Sequence, residues 1–299
     1  MSETPRVPSE TLPPLKEPEK DSLTLRGITV ERGRRAVVRD VTIEIPAGEV
    51  TALLGPNGAG KSSLVLAVGG VLGLQAGSVL LNGRDLAGRR PERIRGAGIA
   101  IVPEGRRLLT DLTVDDNIRV ATYSLPREQA RAGRERVLEL FPEIGRRLSA
   151  PARMLSGGEQ QMVVLAQALV CEPRYMLIDE LSLGLAPVIV NRLVPRIRSV
   201  AESGIGILLI EQFTTIALGL AHQAHIMEGG QLRFSGLARD LRERPELLRS
   251  AYLLRGSAGQ PGQPGQPGQP GPPGPPGQPG PPDQPDQPGP SQPSRPRDR

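Results

Sequence analysis

Cysteine and aromatic residues are nearly absent from this sequence of 299 residues. Cys171 is the only cysteine, and Phe, Trp and Tyr together make up 2% of the chain. A disulfide-stabilised fold is therefore excluded, and a single cysteine suits a reducing compartment. Any hydrophobic core has to consist mainly of Leu, Val, Ile and Ala.

No apolar run in the sequence is long enough to cross a membrane. The longest, residues 64–74, is interrupted by Gly69, Gly70 and Gly73, whereas a spanning helix needs about 20 apolar residues. The N-terminus shows no basic segment followed by an apolar one, so we expect no signal peptide.

Lysine is also rare, and the net charge of +5 comes from scattered arginines. A nucleic-acid surface would need a basic stripe or an aromatic stacking platform, so we expect no nucleic acid among the partners. The two histidines, His222 and His225, lack Cys or acidic ligand partners. We therefore expect structural or surface roles for them rather than metal binding.

Composition divides the chain into three parts. Residues 1–22 contain five prolines and mixed charge, which predicts a disordered leader. Residues 23–254 are apolar enough to form a domain. Residues 255–299 are a Pro/Gly/Gln-rich tail with collagen-like repeats, and we predict that it is disordered. A triple helix requires glycine at every third position and three chains, but Asp283 and Asp286 occupy glycine positions, which favours a solvated polyproline-like tail.

The pattern of apolar residues predicts an α/β fold with a largely parallel sheet. Alternating residues predict two early strands, and a Gly229-Gly230 turn predicts a hairpin between 224–227 and 231–235. Pro195 should kink or break the helix that contains it. A short helix is expected at 245–254. Short apolar runs predict further strands at 50–54, 99–102, 175–178 and 205–210. Helical patterns predict one helix that starts at Lys61 and three more at 128–141, 159–170 and 188–203.

The stretch from residue 55 to residue 62 carries the strongest chemical signal. Its sequence is Gly55-Pro56-Asn57-Gly58-Ala59-Gly60-Lys61-Ser62, which fits G-x-x-x-x-G-K-[ST] between a buried strand and a helix. Glycines let backbone N–H groups converge on phosphate oxygens, and the helix N-terminus adds positive potential. Lys61 supplies a charge to the terminal phosphates, and Ser62 supplies a hydroxyl to magnesium. With the adjacent Ser63, these residues predict a nucleotide-phosphate site.

Two acids, Asp179 and Glu180, directly follow the apolar strand 175–178. Acids at the end of a buried strand are costly unless they meet a cation or a reacting group. Asp179 is placed to hold the magnesium shell, and Glu180 is placed to polarise an attacking water.

A second helix N-terminus carries Leu155-Ser-Gly-Gly-Glu-Gln-Gln161. Ser156 and Glu159 have capping-box spacing, but two glycines in the first turn destabilise a helix unless something must approach closely. Ser156, Gly157 and Gly158 with their N–H groups form a candidate second phosphate site. Two half-sites in one chain suggest ATP held between two chains.

Three motifs in this order resemble those of the ATPase subunit of an ABC transporter: the phosphate loop, Leu155–Gln161 and Leu177-Ile-Asp-Glu180. The resemblance covers about residues 23–254. Further features are similar to the branched-chain amino acid importer ATPases of LivF type, and the related urea-importer ATPases share much of this pattern. These features lie at residues 102–106, 111–117, 182–187, 210–212 and 251–253.

The resemblance implies a P-loop NTPase with a RecA-like core and N-terminal antiparallel β strands. It also implies a helical subdomain at about 105–160 that carries the family's signature motif, here Leu155–Gln161. It implies ATP and Mg2+ as ligands and a peripheral position at the cytoplasmic face of the plasma membrane. The implied partners are a second ATPase subunit in a homo- or heterodimer, two membrane permease subunits and, indirectly, a solute-binding protein. A surface near residues 104–118 should dock a short permease helix.

Carried over by position, Glu104 stands at the Q-loop, which senses the magnesium site and the membrane subunit. Gln212 stands where most relatives have a switch histidine that contacts the γ-phosphate, and Gln cannot carry a proton charge. Asn57 and Ser182 match positions near the nucleotide.

Three residues depart from the family pattern. Arg32 replaces the aromatic residue that stacks on adenine, although a guanidinium can also lie flat on a base. Leu181 replaces a proline, and Gln167 replaces an arginine. Arg32, Leu181 and Gln212 leave open a second hypothesis, a low-turnover nucleotide-binding partner subunit. DNA-repair ATPases that share the signature are disfavoured, since no coiled-coil insert is visible.

Overall fold

The structure is a computed structural model that describes residues 21–212, 214–244, 246 and 248. The strands are β1 (Ser22–Arg32), β2 (Arg35–Pro46), β3 (Val50–Leu54), β4 (Ala76–Leu81), β5 (Arg84–Asp85), β6 (Ile99–Val102), β7 (Tyr175–Asp179), β8 (Gly206–Glu211), β9 (Gln223–Glu228) and β10 (Gln231–Leu237). The helices are α1 (Lys61–Val68), α2 (Pro91–Gly96), α3 (Val114–Ala121), α4 (Arg127–Leu140), α5 (Pro142–Gly145), α6 (Gly157–Leu169), α7 (Pro187–Glu202), α8 (Thr214–Leu220) and α9 (Ala238–Glu243), with a 3-10 turn at Ala152–Met154.

The strands form two sheets. A four-stranded sheet in the order β2-β1-β4-β5 is antiparallel throughout. A six-stranded sheet in the order β10-β9-β3-β8-β7-β6 is parallel except for the β9–β10 hairpin. The mixed α/β architecture with N-terminal antiparallel strands confirms the expected fold class.

The six-stranded sheet separates two hydrophobic cores. Residues of one strand alternate between the two faces, so Leu177 contributes to one core and Ile178 to the other. The first core lies between this sheet, α1 and the antiparallel sheet. The second lies against α3 to α8. Strands buried on both faces explain the continuous apolar runs of β3, β7 and β8.

The chain between β6 and β7 is largely helical and includes α3, α4, α5 and α6. Asn117 on α3 is fully buried, and its amide donates to the carbonyls of Leu109 and Thr113 at 2.9 Å each. Gln167 on α6 donates to the carbonyl of Asn117 at 2.9 Å. The residue that replaces the family arginine thus ties α6 to α3.

Most of the elements predicted from the sequence are confirmed, including the Gly229-Gly230 hairpin. The expectation that Pro195 breaks its helix is wrong, because α7 runs through it without interruption. Leu193, Ile197 and Val200 of α7 are buried in the core, and this packing holds the helix together. β1 begins at Ser22, one residue before the expected domain start. The rest of the leader, most of the 245–254 helix and the tail lie outside the described residues.

Candidate nucleotide-binding site

Four parallel strands end at the same edge of the six-stranded sheet. β3 leads into the phosphate loop, β6 into Pro103 and Glu104, β7 into Glu180, and β8 into Gln212. Ligands of open α/β sheets bind at this carboxyl edge. The sheet topology therefore brings together motif residues that are far apart in the sequence.

The phosphate loop has a backbone that only glycine adopts without strain. Gly55 has φ 149° and Gly60 has φ 108°. A Cβ at Gly55 would collide with the carbonyl of Met227, and one at Gly60 with the carbonyl of Val37. Gly60 precedes α1, and no side chain caps this helix. The first N–H groups of α1 are therefore available to an anion.

Lys61 is buried and hydrogen-bonded to the start of the phosphate loop. Its side chain is 5% exposed, and its Nζ donates to the carbonyls of Gly55 at 2.7 Å and Pro56 at 3.1 Å. Burial lowers the pKa of Lys61, and this is opposed by the negative charges of Glu180, Asp179, Glu104 and Glu211. Lys61 is thus a buried cation near several acids, and it is positioned to bind the phosphate of a nucleotide as well.

Asp179 has the features of a ligand for a divalent cation. It is 4% exposed, and its Oδ1 is buried without a hydrogen-bond partner in the described part of the chain. Burial raises the pKa of Asp179, and this is opposed by a hydrogen bond from Ser62 and by the charge of Lys61. No three His, Cys, Asp or Glu residues among those described are grouped to hold a metal by themselves. An oxygen pair from Asp179 and Ser62 fits a magnesium ion that shares its shell with phosphates and water.

Glu180 sits at a strained position at the end of β7. Its φ of 55° lies in the left-handed region, and its N–H donates to the carbonyl of Ile210 at 2.9 Å. Such a conformation in a residue other than glycine persists only when neighbours hold it. Burial raises the pKa of Glu180, the charges of Glu104 and Asp179 raise it further, and Lys61 lowers it. The carboxylate is therefore a better proton acceptor than a solvated one.

The signature helix has the capping box that its sequence predicts. The Ser156 hydroxyl accepts from the N–H of Glu159 at 3.3 Å, and Glu159 accepts from the Ser156 N–H at 2.8 Å. A Cβ at Gly157 would lie 2.8 Å from Arg106 Nη1, and one at Gly158 would lie 2.6 Å from Ile189. Ile189 therefore packs closely against Gly158, whereas the flexible end of Arg106 lies over Gly157. Within the described part of the chain, the Ser156 side chain bonds only to Glu159.

The structure brings together some of the predicted site residues and leaves others apart. Lys61, Ser62, Asp179, Glu180 and Glu104 form one charged cluster. Gln212 is exposed just after β8, and Arg32 is exposed at the end of β1 on the other sheet. The remaining predicted members, Pro56, Asn57, Gly58, Ala59 and Ser63, lie in the loop or in the first turn of α1.

Two residues near the site, Glu211 and Arg106, lie in segments that carry the family resemblance but were assigned no role of their own from the sequence. Glu211 is 1% exposed and accepts two hydrogen bonds from Ser182. Arg106 donates to the carbonyls of Leu183 at 2.8 Å and Gly184 at 3.2 Å. The argument that singled out Asp179, an acid at the end of an apolar strand, applies equally to Glu211. No pattern in the sequence could have revealed the Arg106 contacts, because they join distant loops.

The fold and this charged cluster define a nucleotide-binding cassette, and comparison with known proteins identifies its family. The ABC transporter family matches residues 38–182. The chain is 35% identical over 231 residues to the high-affinity branched-chain amino acid transport ATP-binding protein BraG of Pseudomonas aeruginosa, covering 77% of this chain and 99% of that protein. It is 32% identical to the probable branched-chain amino acid transport ATP-binding protein LivF of Archaeoglobus fulgidus, covering 73% and 94%.

Among solved structures, the ADP conformation of MJ1267, an ATP-binding cassette of an ABC transporter, matches with a TM-score of 0.70 at 23% identity, covering 77% of this chain and 97% of that one. The chain belongs to the ABC transporter family, whose ATP-binding subunits hydrolyse ATP. None of the helices in the described residues is long and apolar enough to cross a membrane.

Proposed function

We propose that this chain is the ATP-hydrolysing subunit of an importer for branched-chain amino acids. The observation that carries the proposal is the charged cluster at the carboxyl edge of the six-stranded sheet, where Lys61, Asp179 and Glu180 meet the phosphate loop. The names of the two curated relatives support the choice of solute.

Each residue of the cluster has a role in the proposed reaction. The loop from Gly55 to Ser63 binds the phosphates, and Lys61 neutralises their charge. Ser62 and Asp179 hold Mg2+, with Glu104 close to them; the ion, when bound, neutralises charge on the phosphate oxygens. Glu180 accepts a proton from the attacking water, consistent with its raised pKa. Gln212 donates a hydrogen bond to the terminal phosphate, and Arg32 covers the adenine ring.

The signature belongs, in this proposal, to the ATP site of a second ATPase subunit. Ser156, Gly157 and Gly158 lie at the start of α6, where backbone N–H groups can donate hydrogen bonds to a phosphate. Three exposed apolar side chains, Met154, Leu183 and Val188, occur on the segments around it. Removing exposed apolar side chains from water favours association. Binding of ATP would bury them between two chains.

An apolar groove provides the proposed docking site for a permease. It has a volume of about 480 Å3 and lies between α1, α2, β6, α3 and α6. Val71, Val120 and Tyr123 are exposed along it, and Arg95 and Arg107 add positive charge. We assign it to a short cytoplasmic helix of a permease subunit that carries an acidic residue. The groove overlaps the predicted surface at 104–118 only at Arg107 and extends well beyond it.

The proposal places the chain at the cytoplasmic face of the plasma membrane, held there by its permeases. The test is to reconstitute it in proteoliposomes with two permease subunits and a solute-binding protein of a branched-chain amino acid importer. Radiolabelled leucine uptake should depend on ATP and be lost with Lys61→Ala. Uptake of urea but not leucine would instead support the urea-importer alternative. A complex that transports with an inactive Glu180→Gln version of this chain would support the low-turnover partner.

A further inference from the structure

A buried acid next to the proposed catalytic group has no role in the reaction described above. Glu211 is the last residue of β8 and is 1% exposed. An ionised carboxylate at such a depth is costly unless its oxygens are hydrogen-bonded. Both oxygens are used: Ser182 N–H donates to Oε1 at 3.0 Å, and the Ser182 hydroxyl donates to Oε2 at 2.8 Å. Burial raises the pKa of Glu211, and the two Ser182 bonds oppose the rise.

These bonds fix the loop that begins at Glu180. The backbone N–H of Glu180 is bonded to the carbonyl of Ile210 at 2.9 Å, and Ser182, two residues later, is bonded to Glu211. Consecutive residues of β8 therefore hold the chain on both sides of Leu181, which is fully buried. Glu180 itself has φ 55°, a strained conformation for a residue other than glycine that requires support from its surroundings.

We propose that Glu211 is a positioning residue for ATP hydrolysis, which acts through Ser182 to hold Glu180 in its left-handed conformation. The inference rests on the proposed function, because it requires Glu180 to be the group that activates water. It explains why a buried acid ends β8 and why both of its oxygens are bonded to Ser182. Small displacements of a general base cost up to about 100-fold in rate.

The test compares Glu211→Gln, which keeps the shape but replaces one acceptor by a donor, with Ser182→Ala, which removes only the hydroxyl. Each should lower kcat for ATP about 10-fold or more while KM for ATP changes less than about 3-fold. Ser182→Ala keeps the test valid if Glu211→Gln fails to fold. Glu143→Gln serves as the matched control. It removes a part-buried carboxylate that accepts a hydrogen bond from Arg196 at 2.7 Å and that lies outside the phosphate loop. This variant should leave kcat unchanged.

A second measurement separates positioning from a general structural role. In a Glu180→Gln background, whose residual hydrolysis is measured at high protein concentration, Glu211→Gln should cause no further loss, because its effect passes through Glu180. Wild-type kcat in both single variants, a change confined to KM, or an equal further loss in the Glu180→Gln background would overturn the inference. A wild-type chain that does not hydrolyse ATP would instead overturn the proposed function.

Discussion

At the scale of single residues, burial shifts the proton affinity of three charged groups at the site, Lys61, Asp179 and Glu180. Burial lowers the pKa of Lys61 and raises the pKa of Asp179 and Glu180. The opposite charges partly cancel these shifts, because the lysine and the two acids face one another. Lys61 therefore has two effects: it attracts phosphate, and its charge opposes the rise in the pKa of both acids.

Replacing Lys61 by Ala should remove both effects. We expect ATP turnover to fall by about 100-fold or more, while the circular dichroism spectrum stays that of the folded wild type. Binding of a fluorescent ATP analogue and phosphate release measure the two consequences. Wild-type affinity together with wild-type turnover would rule out the assigned role of Lys61.

His225 provides a residue-scale prediction outside the site. It is 5% exposed on β9, its Nδ1 lies 2.9 Å from the Ser235 hydroxyl, and burial lowers its pKa to about 4. Its neutral form is favoured in the fold, whereas the unfolded chain takes up a proton near pH 6.5. The stability that depends on neutral His225 is therefore complete above pH 6.5 and is lost as the pH falls toward 4. The loss amounts to about 3 kcal/mol.

The measurement is the free energy of unfolding in urea at pH 8 and pH 4.5 for wild type and His225→Gln. The decrease between the two pH values should be smaller in the variant, because its amide does not titrate. Equal decreases in both proteins would show that the buried imidazole does not contribute.

At the scale of secondary-structure elements, the connection between β3 and α1 is tightly constrained. Gly60 combines a φ of 108° with close contact to the backbone of Val37, whereas Gly83, with a φ of 77°, has open space around its Cα. Both positions disfavour a side chain, but only Gly60 also excludes it by contact with backbone.

Gly60→Ala should therefore lower the free energy of unfolding by about 1–3 kcal/mol more than Gly83→Ala. Urea denaturation of the two variants alongside wild type gives the difference. Equal destabilisation would mean that the loop moves away from Val37 at little cost.

Elements buried on both faces were the easiest to predict from sequence, because β3, β7 and β8 are short continuous apolar runs. Pro195 was expected to kink or break its helix, and the helix is not broken. Local propensity could not show this, because it says nothing of the core that Leu193 and Ile197 join. Lys61 and Asp179 could be identified by their motifs. The contacts of Glu211 and Arg106 could not, because each depends on which loops the sheet brings together.

At the scale of the whole molecule, the chain combines a compact domain with a tail of different composition. Deleting residues 257–299 should leave ATP hydrolysis and the melting temperature nearly unchanged, because a polar Pro/Gly tract has few apolar groups to bury. A melting temperature lowered by more than about 5 °C, on the order of 1 kcal/mol or more, would show that the tail docks on the domain. A trimer in sedimentation that disappears on truncation would support the collagen-like alternative.

In the proposed function two chains close on ATP. The segment Leu155–Gln161 of each chain then lies against the nucleotide bound to the phosphate loop of the other chain. Glu180→Gln keeps Lys61, Ser62 and Asp179, so it should bind ATP with magnesium but be unable to complete the reaction. Such a variant should stay a dimer as long as ATP is present.

The most direct test measures ATP hydrolysis and size-exclusion behaviour of wild type and Glu180→Gln with ATP and magnesium. We expect Glu180→Gln to hydrolyse ATP about 100-fold or more slowly than wild type and to elute as a dimer with ATP and as a monomer without it. Equal, low hydrolysis by the two proteins would contradict the assignment of Glu180 as the group that activates water.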